Sequence, residues 1–447
     1  MPVQPRTPPG VLELLPPQQL AFQRMLDTIR RGFERFGFVP VETPVFELSE
    51  VLLTKTGGDT EKQVYFVQTT GTLKQAGQAG QAGDTSKLPE LALRFDLTVP
   101  LARYVAEHEA QLNFPFRRYQ IQRVYRGEHA QKGRYREFYQ CDIDVIGKDT
   151  LPLAYDAELP AVIHGIFSEL AFGKFTIKIN NRRLLRELLE SLGIAQDAHA
   201  GVLHEVDRLG KQERAEIEAK IAALTNAITA ARLLDLLALP LADLPASEGK
   251  TELQRVYDTT IALGVPASQL QIDLSIVRGL DYYTGTVYET FLDEHPRLGS
   301  ICSGGRYDNL AEHYTKSKLP GVGISIGATR LFSQLLEMNL VNVAASSVAQ
   351  VIVLSVEPEL STTYAQLATE LRAAGINTEV YGEDKKVGNQ FKYADKGGIP
   401  LAIILGARER EAGIVKIKDM RSTDVTAQNE HEVPRADVVA KVRALLG

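Results

Sequence analysis

Between residues 126 and 144 the chain reads RGEHAQKGRYREFYQCDID, two extended runs around a glycine-containing connection. Successive side chains of a strand point to opposite faces, so Arg136, Phe138, Gln140, Asp142 and Asp144 share one face while Glu137, Tyr139, Cys141, Ile143 and Val145 share the other. The second face is largely apolar and can pack. The first aligns an amide and two carboxylates beside arginines at 126, 134 and 136. Guanidiniums suit a polyanion and carboxylates an amine, so such a surface can hold both at once. A hairpin with one wet face is the plain structural alternative, because antiparallel sheets often expose one side.

Three further stretches add chemistry. LALRFDLTV at 91–99 alternates strictly, which predicts a strand with Leu91, Leu93, Phe95, Leu97 and Val99 on one side and Ala92, Arg94, Asp96 and Thr98 on the other. Asp96 is then a candidate partner for a substrate ammonium. QIDLSIVRGLDYYTGTVYETFL at 271–292 brings Arg278 and two tyrosines up to a turn at Thr284-Gly285. GVGISIGATRLFSQLLEM at 321–338 predicts a Gly-rich strand feeding a helix with Arg330 in its first turn, where unpaired N–H groups and positive potential suit a phosphate.

The frame that must position these residues is large. At 447 residues the chain predicts two to four domains, at about 100–200 residues each. Its 44% hydrophobic and 24% charged residues are ordinary for a globular protein. The net charge of −6, from 50 Lys+Arg against 56 Asp+Glu, excludes a basic coat for nucleic acid and leaves only a localised basic groove. Cys141 and Cys302 are the only cysteines, which excludes a disulfide framework and a Cys-rich zinc module. No apolar run reaches 18 residues, and MPVQPRTPPG has no signal-peptide pattern, so the expected setting is cytoplasmic with no membrane partner.

Along the chain, residues 1–16 are too rich in proline for an ordered element. Phe22, Met25, Leu26, Ile29, Phe33 and Phe36 then predict an amphipathic helix from Pro17 that ends at Gly37. FVPVETPVFELSEVL predicts an edge or interface strand, because Pro44 cannot donate to a ladder. Residues 70–86 read as a low-complexity loop, 174–185 as a strand running into a helix, and 194–262 as an inserted helical block in which His204 is a solvated helix residue. After a linker at VNVAASSVAQ, strands and helices alternate from 351 to 446, which predicts a small, mostly parallel α/β sheet. Lys385, Lys386, Lys392 and Lys396 give this last region a basic helix edge, either simply solvated or suited to a phosphate backbone. It lacks the G-x-x-x-x-G-K-[ST] and G-x-G-x-x-G signatures, so the chemistry belongs to the earlier part of the chain.

From about residue 5 onward the chain resembles class II aminoacyl-tRNA synthetases, and within them the histidyl-tRNA synthetases. FERFGFVPVETPVFE with Pro44 looks like motif 1, YRGEHAQKGRYREFYQCDID like motif 2, and GVGISIGATRLF like motif 3 ending at Arg330. RGLDYYTG at 278–285 and SGGRYDNL at 303–310 resemble the two histidine-specific signatures, and LRFDLTVP at 93–100 is also what this family carries. The resemblance implies an α/β chain of four parts: a flexible segment at 1–16, a catalytic α+β domain with an antiparallel sheet over 17–193 and 263–340, a helical insertion at 194–262, and a C-terminal α/β anticodon-binding domain at 348–447. It implies ATP-dependent activation of L-histidine and its transfer to tRNA-His, with Mg²⁺ present and a homodimer built on motif 1.

Carried over residue by residue, the resemblance implies that Arg126 and Arg278 flank the ATP α-phosphate as the catalytic pair. Glu128 approaches the adenine amino group, Arg330 meets the γ-phosphate, and Arg134 joins this ATP site. Asp96, Thr98 and Gln140 hold the ammonium and carboxylate region of histidine, Asp144 and Tyr283 face the imidazole, Tyr282 lines the pocket, and Arg278 borders the histidine too. His129 and Gln131 lie on the connection that approaches the tRNA acceptor end, and no resident metal ligand set is implied. Attack of a carboxylate on the α-phosphorus gathers charge on non-bridging oxygens, which fixed guanidiniums stabilise, so no side-chain nucleophile is required. A catalytically inert relative, the regulatory subunit of ATP phosphoribosyltransferase, is the alternative; Arg126, Arg278, Arg330 and the C-terminal domain argue for the enzyme. Thr329 stands where the family usually has an acidic residue, His129 where many bacterial members have arginine, and FYQCDIDV looks like the eukaryotic-type subgroup.

Overall fold

The computed structural model describes residues 3–53, 64–71, 89–127, 133–209, 212–277, 283–309, 311–343, 346–421 and 429–447. They form two compact units, one of residues up to 13 with 25–341, the other of 14–24 with 342–447.

In the larger unit the strands are β1 (Val39–Pro40), β2 (Phe46–Leu48), β3 (Tyr65–Val67), β4 (Leu91–Leu93), β5 (Phe116–Tyr125), β6 (Glu137–Ile146), β7 (Phe175–Asn181), β8 (Leu270–Ile272), β9 (Thr286–Leu292), β10 (Cys302–Tyr307) and β11 (Gly321–Ile326). Eight of them make one sheet in the order β1-β5-β6-β11-β10-β9-β7-β8, and β2-β4-β3 make a small second one. Every pairing from β5 to β7 is antiparallel, as expected, and only the edge strands β1 and β8 pair in parallel.

The apolar face of β6 is the one its alternation selects: Cys141, Ile143 and Val145 are fully buried. Tyr119 of β5 lies opposite Ile143, and its ring centroid is 6.0 Å from that of Phe33, so the C-terminal part of the amphipathic helix Pro16–Arg35 packs on this side of the sheet. Ile29 and Phe33 are fully buried there, each contributing about 1.5–3 kcal/mol of transfer free energy. A Cβ at Gly32 would come within 2.3 Å of the Ile166 side chain, so the close approach to the Ala154–Leu170 helix requires glycine. The chain leaves the helix through Gly37 at φ 76.

The alternation at 91–99 does not make the strand it predicts. β4 stops at Leu93 and a helix, Thr98–Glu107, begins inside the run. Ala92 and Arg94, expected on the solvent side, are buried, whereas Leu91 is 39% exposed. Arg94 accounts for the inversion. Its guanidinium donates to the Thr43 carbonyl (2.7 Å), the Arg123 carbonyl (2.9 Å) and Gln122 Oε1 (2.7 Å), acceptors that only an inward turn can reach. Pro100 sits in the first turn of the new helix, where its missing N–H costs nothing, and Asp96 accepts the Val99 N–H at 3.3 Å. The Pro44 segment behaves as expected: β1 and β2 both lie at sheet edges.

Within the helical region, Gln196–Val206, Arg214–Leu224 and Ala227–Leu237 share a core that includes Val202, Ile217, Ile221 and Leu233. Glu248–Ala262 packs instead against the helices behind the main sheet, where Thr260 donates to the Ala157 carbonyl (3.0 Å) and a Cβ at Gly249 would meet the Leu184 backbone at 2.3 Å. His204 is exposed, as expected, and takes a hydrogen bond from Arg208 at 2.9 Å. Most of the loop expected at 70–86 lies outside the described residues.

The smaller unit contains β12 (Val351–Val353), β13 (Thr378–Val380), β14 (Leu401–Ile404), β15 (Ile414–Asp419) and β16 (Glu430–Pro434), ordered β13-β12-β14-β15-β16. The expectation of a mostly parallel sheet is corrected: β13, β12 and β14 are parallel, but β15 and β16 turn back antiparallel. Only a short helix, Ala407–Glu411, separates β14 from β15, too little chain for a crossover, so antiparallel return is the accessible pairing. Val351 and Val353 enter one core with Leu367, Leu371 and Val442, while Ile352 and Leu354 enter another with Ala394, which explains the unbroken apolar run VIVL.

Candidate active site

Strand register assembles the site. Gln120, Asp142, Ser325, Ser303, Glu289 and Lys178 lie in one row across β5, β6, β11, β10, β9 and β7. One step along, Arg118, Asp144, Gly323 and Gly305 form the next row. Both rows lie on the face opposite the helix layer. Over them opens a cavity of about 520 Å³, bordered by Asp96, Thr98, Arg126, Arg134, Gln140, Asp142, Asp144, Tyr283 and Arg330, among others.

Its floor is acidic. Arg118, with no exposed surface, donates from Nη2 to Asp144 Oδ2 at 2.6 Å, and Tyr307 OH donates to Asp144 Oδ1 at 2.7 Å. Burial nevertheless outweighs these partners and holds the Asp144 carboxyl above the usual range. Burial also raises Asp142 to about 7 and Asp96 to about 6, against the lowering pull of Arg118 on both and of Arg126 on Asp96. Three carboxylates therefore surround one buried guanidinium. Such a site gains from a cationic ligand.

Two acceptors in this floor have no partner among the described residues. Gln140 Nε2 donates to Ser325 Oγ at 2.6 Å, and the Ser325 hydroxyl bonds Asp142, which leaves Gln140 Oε1 and Asp142 Oδ1 buried without a donor. An unsatisfied buried acceptor costs about 1–3 kcal/mol, so each calls for a donor from a ligand or water.

Cationic groups border the same cavity. Arg126 spends its Nε–H on the Phe95 carbonyl (3.0 Å) and stacks over Phe138 with 5.1 Å to the ring centroid, which fixes its guanidinium. Arg330, in the first turn of the Ala328–Glu337 helix as predicted, donates from Nη2 to the Leu298 carbonyl at 2.6 Å. Thr329, beside it, accepts the Tyr139 N–H at 2.8 Å and so pins that helix to β6 through a hydroxyl.

The glycines of SGGRYDNL and the first two of GVGISIG are explained by crowding. A Cβ at Gly323 would lie 2.1 Å from Asp144 Oδ1, one at Gly321 2.3 Å from the Tyr307 ring, and one at Gly305 2.9 Å from the Tyr283 ring. Arg306 of the same signature is structural: its Nε donates to Asp156 Oδ1 at 3.0 Å and its Nη2 to Asp156 Oδ2 at 2.5 Å and the Leu151 carbonyl at 2.9 Å, tying β10 to the start of the Ala154–Leu170 helix.

Of the residues singled out in the sequence, Asp96, Thr98, Arg126, Arg134, Gln140, Asp144, Tyr283 and Arg330 meet at this one cavity. Glu128, His129, Gln131, Arg278 and Tyr282 lie outside the described residues. Sequence reasoning missed Arg118, Ser325 and Tyr307, and assigned no task to Asp142. A signal existed in FRRYQIQR, where Arg118, Gln120 and Gln122 alternate into the same face that Asp144, Asp142 and Gln140 occupy on the next strand.

An antiparallel sheet flanked by helices, carrying an acidic floor and fixed arginines on one face, defines the catalytic core of a class II aminoacyl-tRNA synthetase. A family model for histidyl-tRNA synthetase matches residues 10–331, and one for an anticodon-binding domain matches 350–445. The chain belongs to the histidyl-tRNA synthetase family. Histidine–tRNA ligases from Xanthomonas campestris pv. campestris and Stenotrophomonas maltophilia are 56% identical over 442 residues (94% of this chain, 92% of the relative) and 57% identical over 440 residues (94% of each). The crystal structure of histidyl-tRNA synthetase from Nostoc sp. PCC 7120 matches with a TM-score of 0.88 and 38% identity over 99% of this chain and 100% of that one. A structure from Bacillus halodurans C described as an ATP phosphoribosyltransferase regulatory subunit/histidyl-tRNA synthetase shares the fold, with a TM-score of 0.70 at 22% identity over 88% of this chain and 97% of that one.

Proposed function

We infer that the chain activates L-histidine with ATP to histidyl-adenylate and transfers the histidine to the 3′ end of tRNA-His. The observation that carries this reading is the single cavity in which unsatisfied buried acceptors and three carboxylates face fixed arginines. An amino acid offers its ammonium to the first and a nucleotide its phosphates to the second.

In the activation step the histidine carboxylate oxygen forms a bond to the α-phosphorus and the bond to the bridging oxygen of pyrophosphate breaks. Arg126 meets the charge gathering on the non-bridging oxygens, with Arg278 on the other side of the phosphate. Because Arg126 is already held by Phe95 and Phe138, little reorganisation accompanies the reaction. Arg330 and Arg134 hold the outer phosphates, and Glu128 the adenine. Asp96, Thr98 and Gln140 hold the ammonium side of histidine; Asp144, Tyr283 and Tyr282 border its ring. A ribose hydroxyl of the tRNA then attacks the activated carbonyl and AMP leaves, with His129 and Gln131 near the acceptor end.

Magnesium is proposed to arrive with the nucleotide. Among the described residues no group of three His, Cys, Asp or Glu forms a metal cage, and Mg²⁺ in nucleotide sites takes most of its ligands from phosphate and water. A homodimer is proposed through the motif 1 region, where Val39 and Phe46 are 49% and 53% exposed on edge strands; the mass in solution tests it. No helix among the described residues is long and apolar enough to cross a membrane, and both cysteines are buried free thiols, which supports a cytoplasmic setting. Residues 348–447 are assigned to anticodon binding. Their deletion should spare adenylate formation and weaken aminoacylation, and equal collapse of both in a folded truncation refutes that division.

Pyrophosphate exchange into ATP, with each amino acid supplied in turn, tests the whole reading. Exchange with histidine alone is expected. Absence of exchange with every amino acid, in a folded protein, would favour the inert regulatory relative.

A further inference from the structure

Resting on this reading, we propose that Asp142 is a substrate-binding carboxylate that takes the ammonium of the amino acid together with Gln140. The resemblance to the family assigns the ammonium to Asp96, Thr98 and Gln140 and leaves Asp142 without a task. The geometry gives it one. Asp142 is 2% exposed, borders the cavity, and keeps Oδ1 without a donor among the described residues. Ser325 links it to Gln140, whose own Oε1 also lacks a donor, so the two unsatisfied buried oxygens flank one hydroxyl and belong to residues that border one cavity. An ammonium carries three N–H donors and fits two neighbouring acceptors plus a third contact. Asp144 is less available, since Arg118 and Tyr307 already occupy one oxygen each.

Charge points the same way. One buried guanidinium, Arg118, stands against Asp142, Asp144 and Asp96, and burial holds Asp142 partly protonated near neutral pH in the empty site. A ligand ammonium would supply the missing positive charge and let Asp142 ionise.

The test uses two competitors in histidine-dependent pyrophosphate exchange by the full chain: histidinol, which has the ammonium but no carboxylate, and imidazolepropionate, which has the carboxylate but no ammonium. A charged hydrogen bond is worth about 1.5–3 kcal/mol, so Asp142→Asn should raise the histidinol inhibition constant and the histidine KM about 10- to 100-fold. The imidazolepropionate constant should change less than about twofold. Equal weakening of both competitors would make Asp142 a structural residue and overturn the proposal, and so would no change in either. Should Asp142→Asn fail to fold, Ser325→Ala replaces it; removing the shared hydroxyl should weaken histidinol selectively, and equal weakening of both competitors, or no change in either, would again overturn the idea. Wild-type exchange with histidine is the control. Its absence would sink the functional reading itself, whereas a wild-type response with an unselective variant would sink only the role of Asp142.

Discussion

Arg118 Nη2 lies 2.6 Å from Asp144 Oδ2, and the two residues sit directly opposite each other on neighbouring strands, both almost without exposed surface. This pair anchors the acidic floor of the cavity. Removing one member of a buried pair leaves an uncompensated charge, typically a loss of about 3–5 kcal/mol. Arg118→Met is therefore expected to lower the unfolding free energy by about that amount at pH 8. The loss should be smaller at pH 5, where Asp96, Asp142 and Asp144 can protonate instead. Urea unfolding at the two pH values measures this, and equal losses would show that the three carboxylates do not depend on Arg118.

Asp142, raised by burial to about 7, predicts a pH-dependent difference. A carboxyl whose folded pKa lies above its unfolded value stabilises the fold below the unfolded pKa, and that contribution disappears as pH rises through the folded one. The window here runs from about pH 4 to about pH 7, shared with Asp96, which is raised to about 6. The charged groups around Asp142 are Arg118, Asp144 and Asp96. Asp142→Asn mimics the protonated form, so without ligand it should melt slightly above wild type at pH 5 and further above it at pH 8. A variant that melts lower at both would show that Asp142 is ionised and satisfied in the free protein.

Arg126→Ala is expected to lower the histidine-dependent exchange rate by about 10²- to 10³-fold while the melting temperature changes little, since its proposed task lies at the reacting phosphate. Arg278→Ala should do the same. Near-normal exchange in either variant removes that arginine from the catalytic step.

Gly323→Ala places a Cβ 2.1 Å from Asp144 Oδ1. Overpacking of this kind costs about 1–3 kcal/mol, and the displaced carboxylate should raise the histidine KM. Thermal melting and exchange kinetics read the two effects, and a stable variant with an unchanged KM would mean that Asp144 does not need its position.

Much of the site was legible because its residues follow strand periodicity. The alternation of β6 alone separates Gln140, Asp142 and Asp144 from Cys141, Ile143 and Val145, and the structure keeps that division. Likewise the three- and four-residue spacing from Phe22 to Phe33 defines the buried stripe of the covering helix. LALRFDLTV shows where local pattern stops. Its alternation is perfect, yet the acceptors that satisfy Arg94 come from Thr43, Gln122 and Arg123, and nothing within the segment announces them.

By itself, then, the sequence determined most of the element types outside the 91–99 run, the polar face of β6, the arginine in the first turn after Gly327 and the resemblance that names the family. Only tertiary structure decided which strands are neighbours and in what register. That register sets Arg118 against Asp144, Asp142 beside Ser325, and Gly323 under the Asp144 carboxylate. Side-chain alternation is a property of one strand and can be read along it, but pairing depends on contacts between residues as far apart as 144 and 323, whose free energy belongs to the folded chain alone.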